Sequence, residues 1–348
     1  MNSSAADVRR ELSGITPSGS LTLGNYLGAL RRFREHQDRG FYFVADLHAL
    51  TTSHEPSELR ARTSSTAALF FASGLDPDRA TVFVQSDVPE HVLLSYLLEC
   101  TAHVGELNRM IQFKEKGGRP GTRASLFTYP CLMAADILLY DTDSVPVGSD
   151  QSQHVELARD LAGRFNAAYG DTFRVPRLAP EQLTSRVVDL ADPTRKMSKS
   201  APADAPGVIR MLDTPDVIRR KVRKAVTDSS ACLTYDPIEQ PGLANLAEIV
   251  ASIVGLSPTE VLEDCASYGD LKAQCADAII AELQPIQLRH DELIADQKHL
   301  QQLLDKGAAK ARLVAGPVLA RAQSAFGIYR VRPTEATARN DRRGPTSQ

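Results

Sequence analysis

The chain has 348 residues, 43% of them hydrophobic, and a net charge of −3 from 40 basic and 43 acidic side chains. That suffices for a sizeable core in one large or two modest domains, and it argues against a protein wrapped in nucleic acid, although a local basic face still acts over about 10 Å. The longest apolar run, 67–72, is too short to cross a membrane, the polar start 1–7 has no signal-peptide core, and five cysteines without a CxxC pair predict free buried thiols, not a zinc or disulfide framework. The expectation is a soluble cytoplasmic protein with no membrane partner and no structural metal.

The first half alternates β-rich runs with helical patterns, the mark of a parallel α/β sheet. Leu12–Thr16 reads as a strand, followed by Leu23, Tyr26, Leu27, Leu30 and Phe33 at helical spacing. The run 41–45 is continuously apolar, as a strand buried on both faces would be. A helix is expected over 57–73, closed by Gly74, then a strand over 81–84 and helices over about 89–113 and 126–140. A short strand at 145–148 leads into a helix over 150–165. Beyond Lys199 the proline-rich stretch 201–206 reads as a linker into an all-helical region reaching Phe326. There Ile218, Val222 and Ala225 make an apolar stripe, with Arg219, Arg220, Arg223 and Lys224 mostly facing away as a basic face. The polar tail 329–348 predicts disorder.

Two strings in this frame carry chemistry. Thr16, Pro17, Ser18, Gly19, Thr22, Gly24 and Asn25 lie on a Gly-rich turn between a strand and a helix start, where free N–H groups suit phosphate. Thr22 and Asn25, one turn apart, could donate to one phosphate, or the threonine could simply cap the helix. About 170 residues on, Lys196-Met197-Ser198-Lys199-Ser200 puts two lysines on a polar loop that could hold a triphosphate from the other side. A third constellation spans 129–140 and 145–154. Asp136 sits there in an apolar helix, either satisfied by a backbone N–H or helix end, or accepting from a substrate donor at the bottom of an aromatic slot. His48 ends a strand on the same crevice, and His154 reads as a helix residue with a local partner.

The two strings resemble the signature motifs of class I aminoacyl-tRNA synthetases, the second over all five positions with Asp192-Pro193-Thr194 ahead of it. With 129–154, Gly105-Glu106-Leu107, Gln112–Lys116 and Ala225–Ser229, the likeness narrows to the tryptophanyl-tRNA synthetase family and runs from about Ser13 to Phe326. It implies a Rossmann-like catalytic domain over 8–205 with a helical dimer-interface insertion at about 89–140. It also implies a helical anticodon-binding domain over 206–328 whose last helix returns to the catalytic domain, and a homodimer. The implied reaction joins L-tryptophan, through an adenylate made from ATP with magnesium, to tRNA(Trp). By the same likeness Asp136 reads the indole N–H, with Met133, Val147 and His48 lining the slot. Tyr129 and Gln151 hold the ammonium, Gly148, Ser149, Asp150 and Val187 hold adenosine, and Lys116, Lys196 and Lys199 reach the phosphates.

Four positions depart from the family pattern: Leu12 for Phe, Thr16 for Gln, Ala45 for Val, and Leu47 for a Gln that some members carry. They suggest an auxiliary copy tolerant of tryptophan-mimicking inhibitors. Two other readings are a tyrosyl-tRNA synthetase, disfavoured because the run around Asp136 offers a phenol no second polar partner, and a non-catalytic sensor, disfavoured by the two lysines.

Overall fold

The computed structural model describes residues 10–142, 144–145, 152–178, 187–230 and 232–328. Strand β1 (Glu11–Ile15) leads through the Gly-rich turn into α1 (Leu23–Asn25), which continues through a π-helical stretch (Tyr26–Leu30) into α2 (Arg31–Glu35). Then come β2 (Gly40–Val44), the one-turn α3 (Asp46–Ala49), α4 (Pro56–Ala72), β3 (Thr81–Val84), α5 (Glu90–Glu99), α6 (Val104–Asn108), α7 (Ile111–Lys116) and α8 (Ala124–Leu138). Strand β4 (Ser144–Val145), α9 (Ser152–Tyr169) and β5 (Arg177–Leu178) complete the α/β part. The remainder is helical: α10 (Pro215–Arg223), α11 (Pro241–Val254), α12 (Pro258–Glu263), α13 (Tyr268–Ala295) and α14 (Gln297–Ala325).

All strand pairs are parallel and the order is β3-β2-β1-β4-β5. The order reverses between β1 and β4, and a crevice opens beyond the carboxyl ends of strands at such a point. The Gly-rich turn leaves the end of β1 there. Strand β2 is buried along its whole length because each face meets its own core. Tyr42 and Val44 join Leu23, Leu30, Phe70 and, from the C-terminal helices, Leu246 and Ile279. Phe41 and Phe43 join Leu94, Ile137, Leu161 and Ala311 on the opposite face. The period-two alternation of a strand divides the residues this way. The first core is continuous across the 205/206 boundary, so apolar burial does not break where the composition shifts.

Helix α14 closes on β3 at very short range. A Cβ on Gly307 would stand 1.7 Å from the carbonyl oxygen of Val82, so only glycine lets the helix lie there. Lys310 Nζ donates to the carbonyl of Pro77 at 2.7 Å, and Lys306 pairs with Asp78, fastening the same helix to the turn before β3.

Several expectations are corrected. His48 lies not at a strand end but inside α3, because β2 stops at Val44 and the chain turns into a helical turn at Asp46. The helix expected over 89–113 is three helices, broken where His103 and Met110 take extended backbone as caps. Only Cys131 and Cys275 are buried thiols, Cys100 and Cys232 being exposed. The stripe of α10 also buries Lys221, whose ammonium donates to Asp213 and to the Val208 carbonyl, each at 2.7 Å. The tail 329–348 lies outside the described residues.

Candidate active site

The two signature strings meet. Thr22 is fully buried as the cap of α1: its hydroxyl accepts the Asn25 N–H at 3.3 Å, and Asn25 Oδ1 accepts the Thr22 N–H at 3.0 Å. The threonine hydroxyl is therefore engaged in the cap, and the amide nitrogen of Asn25 is the group left to donate at the helix start. Gly24 lies under two buried side chains: a Cβ there would touch Val187 at 3.5 Å and Met197 at 3.7 Å. Those two are joined by the Met197 N–H to Val187 carbonyl bond, 3.2 Å, and an antiparallel bridge of Val188 with Lys196.

Gly19 is where the loops touch. A Cβ there would stand 2.3 Å from the Lys199 carbonyl oxygen. The Lys199 side chain crosses the same gap and donates from Nζ to the Thr16 carbonyl at 2.7 Å. Burial pushes its ammonium down to about 8, since a charge removed from water without a counter-ion is disfavoured. Lys196 is exposed, as are Ser198 and Ser200, whose hydroxyls stand 2.9 Å apart, while Pro17 is buried and Ser18 exposed.

Asp136, on the buried side of α8, is 2% exposed and is satisfied by side chains rather than by the backbone or a helix end. Its Oδ1 accepts Gln85 Nε2 at 2.7 Å and His91 Nδ1 at 2.6 Å, and its Oδ2 accepts His48 Nε2 at 2.7 Å. Nε2 of His91 lies 2.8 Å from the Tyr140 hydroxyl. Burial alone would raise the Asp136 carboxyl. The charge and hydrogen bond of His48, with those of His91, outweigh it and hold the group below the ordinary carboxylate value. Gln85 follows β3 and His91 opens α5, so the end of β3 supplies two of the three donors. Ser86 N–H to Asp46 Oδ1, 3.0 Å, ties that segment to α3 and hence to His48.

This arrangement overturns the argument that the surroundings of Asp136 are apolar. The run is apolar in sequence, but packing brings a glutamine and two histidines to the carboxylate from elsewhere in the chain, with the Tyr140 hydroxyl on the far side of His91. Discrimination against a phenol cannot rest on a lack of polar partners there.

Tyr129, half-buried on α8, meets the ring of His48 edge-on at 6.2 Å, and its hydroxyl lies 2.6 Å from Nε2 of His154 on α9. Burial pushes the Tyr129 hydroxyl up to about 12. Met133 is half-buried one turn before Asp136. Val147, Gly148, Ser149, Asp150 and Gln151 lie outside the described residues, and of Lys116 only the backbone at the end of α7 is described. Of the four departures, Leu12 and Ala45 are buried in the second core, while Thr16 and Leu47 are half-buried. On α10, Arg219 pairs with Asp277 at 2.8 Å, and Arg220, Arg223 and Lys224 are exposed.

A family model described as tRNA synthetases class I (W and Y) matches residues 7–284. The chain is 50% identical over 327 residues to Tryptophan--tRNA ligase 1 of Streptomyces coelicolor, covering 92% of this chain and 97% of that one. Among solved structures, tryptophanyl-tRNA synthetase from Mycoplasma pneumoniae superposes with a TM-score of 0.83 at 36% identity, covering 92% and 98% of the two chains. The enzyme from Campylobacter jejuni, complexed with ADP and tryptophan, gives 0.78 at 33% identity, covering 92% and 100%.

Proposed function

Because the chain belongs to the tryptophanyl-tRNA synthetase family, we propose how its own residues divide the work of joining tryptophan to tRNA(Trp). The carboxylate of tryptophan attacks the α-phosphorus of ATP and pyrophosphate leaves. The tryptophanyl group then passes from the adenylate to the terminal ribose hydroxyl of the tRNA. No covalent bond to the protein is needed, so catalysis is positioning and charge stabilisation.

The turn 16–25 and the loop 196–200 grip the triphosphate from two sides. The side-chain amide of Asn25 faces the phosphates at the start of α1. Lys196 and Lys199, with Lys116, neutralise the charge that builds on departing pyrophosphate. Val187 and Met197, packed over Gly24, form an apolar seat for adenine, and Gly148, Ser149 and Asp150 take the rest of adenosine. Magnesium arrives with ATP, bound to its phosphates. Asp136 accepts the indole N–H, Met133, Val147 and His48 shape the slot, and Tyr129 with Gln151 holds the ammonium. The observation that carries this reading is the fully buried Asp136, held ionised between donors at the crevice, because an indole N–H is donor-only and needs such an acceptor.

The working unit is a homodimer in the cytoplasm. Val92, Leu93 and Tyr96 on α5, with Val104 and Ile111 on the helices that follow, are exposed and apolar, a patch that favours burial against a second copy. The exposed arginines of α10 supply a tRNA-facing surface. Thr16 and Leu47 in place of glutamines favour an auxiliary, inhibitor-tolerant enzyme.

Amino-acid-dependent exchange of pyrophosphate into ATP tests the assignment of roles. Tryptophan should support exchange, with little from tyrosine or phenylalanine. Lys199→Ala should lower it by about two orders of magnitude, the loss of about 3 kcal/mol of charge stabilisation, with tryptophan binding unchanged. Unaltered exchange in that variant would remove the loop 196–200 from the phosphate site.

A further inference from the structure

Three buried side chains behind Asp136 have no role in the reaction as described: Gln85, His91 and Tyr140. Gln85 and His91 are both 0% exposed, as is Tyr140. Gln85 and His91 bond to the carboxylate, Tyr140 reaches it only through His91, and both bonds fall on one of its oxygens. Each carboxylate oxygen offers about two lone pairs. Oδ1 receives both Gln85 Nε2 and His91 Nδ1, and is saturated. Among the described residues Oδ2 receives His48 Nε2 alone, from a residue that is 14% exposed and borders Tyr129. The acceptor capacity that is left therefore lies on Oδ2, on the crevice side.

The orientation of each donor is fixed by what it faces. A carboxylate is an acceptor only, so Gln85 must present its nitrogen and His91 must carry a hydrogen on Nδ1. On the far side of the ring, Nε2 of His91 lies 2.8 Å from the Tyr140 hydroxyl. Tyr140 thus holds the far end of the His91 ring, and His91 with Gln85 sets the rotation of the carboxylate about its own bond. The rings of Phe43, Phe83 and Tyr140 pack around His91 and hold it in place.

We propose that Gln85, His91 and Tyr140 are positioning residues for substrate choice, clamping Oδ1 of Asp136 so that Oδ2 is presented to the indole N–H. They touch no substrate. The proposal rests on the reading that Asp136 accepts from indole. With the clamp removed, the carboxylate can turn or take up a proton, and the site then loses its preference for a donor at that point while keeping its shape.

The test compares kcat/KM in pyrophosphate exchange for tryptophan and for its benzothiophene isostere, in which sulfur replaces the indole N–H. A site built around a donor rejects an equal-sized analogue lacking it by orders of magnitude. His91→Leu should lower that preference about tenfold or more, acting on tryptophan and sparing the isostere. His91→Asn, whose side-chain nitrogen can take the place of Nδ1, should restore most of it. A purely structural role would lower both substrates together and leave the ratio unchanged, which would overturn the proposal. If His91→Leu does not fold, Gln85→Met removes the other donor at similar volume and is read in the same way. Asp136→Leu, which leaves no acceptor at that point, separates the two levels of the argument. A collapsed ratio there with an intact ratio in both clamp variants overturns the clamp alone. An intact ratio in Asp136→Leu overturns the indole reading on which it rests.

Discussion

Replacing Gly19 with alanine is expected to slow adenylate formation about 100-fold while leaving the fold standing. The new Cβ would stand 2.3 Å from the carbonyl oxygen of Lys199, a backbone atom that cannot swing aside as a side chain could. Restoring ordinary contact in a close-packed interior parts the two loops by about 1 Å. The same movement stretches the 2.7 Å bond from Lys199 Nζ to the Thr16 carbonyl, which spans that gap. A misplacement of this size costs about two orders of magnitude where catalysis depends on positioning. The assay is tryptophan-dependent pyrophosphate exchange, read beside tryptophan binding alone. The chain contains no tryptophan, so the emission of the bound substrate is seen without a protein background. Binding should be unchanged, since the donors around Asp136 come from the segments after β2 and β3 and not from the turn after β1. Gly28→Ala, where a Cβ meets nothing within 4 Å, serves as the neutral control. Exchange at the unaltered rate in Gly19→Ala would refute the view that contact between the loops sets the phosphate geometry.

Three further outcomes are expected. The Lys199 ammonium is depressed to about 8 by burial, so kcat/KM for ATP should fall as pH rises through that value and the charged form is lost. A fall that persists at the same pH in Lys199→Arg would assign it to another group. For stability the sign is opposite: the folded chain binds less proton than the unfolded one between about 8 and 10.5, so this group favours folding more as pH rises there. Gly307→Ala in α14 should lower Tm by an overpacking cost of about 1–3 kcal/mol, although glycine to alanine inside a helix ordinarily stabilises. A raised Tm would show that α14 does not approach Val82 as described. Thr16→Gln with Leu47→Gln should tighten inhibition by tryptophan mimics roughly tenfold, from one or two recovered hydrogen bonds of about 0.5–1.5 kcal/mol each. Unchanged inhibition constants would end the argument for tolerance.

What the sequence disclosed, and what it withheld, follows from the range of the interactions. The parallel sheet was legible because β2 is five apolar residues buried on both faces, a pattern carried within one strand. The two strings proposed to grip phosphate were legible because each is contiguous in the sequence. The partners of Asp136 were not. They come from the end of β3, the start of α5 and α3, separated from it by 51, 45 and 88 positions. The burial of Asp136 in an apolar helix did signal that donors had to exist somewhere, since an unpaired carboxylate is too costly there. It could not say that they were side chains. Lys199 shows the same limit: its string pointed to phosphate, and only the fold revealed its bond to Thr16, 183 residues away. The two-residue strands β4 and β5 are too short to show alternation, so β5 left no readable pattern.

The fastening of α14 to β3 bears on how the chain is made. Strand β3 is one edge of the sheet, and the apolar side chains beside it rest against Ala308, Ala311, Ala315 and Val318 of α14. During synthesis from the amino end, the sheet can assemble long before its cover exists. Until α14 leaves the ribosome, a sheet margin and the apolar surface beside it stay open to other chains. A nascent chain stalled in α13 would carry both phosphate loops and an uncovered sheet. The emergence of α14, rather than the strings near the start, then decides whether the sheet margin is covered or left open to other chains.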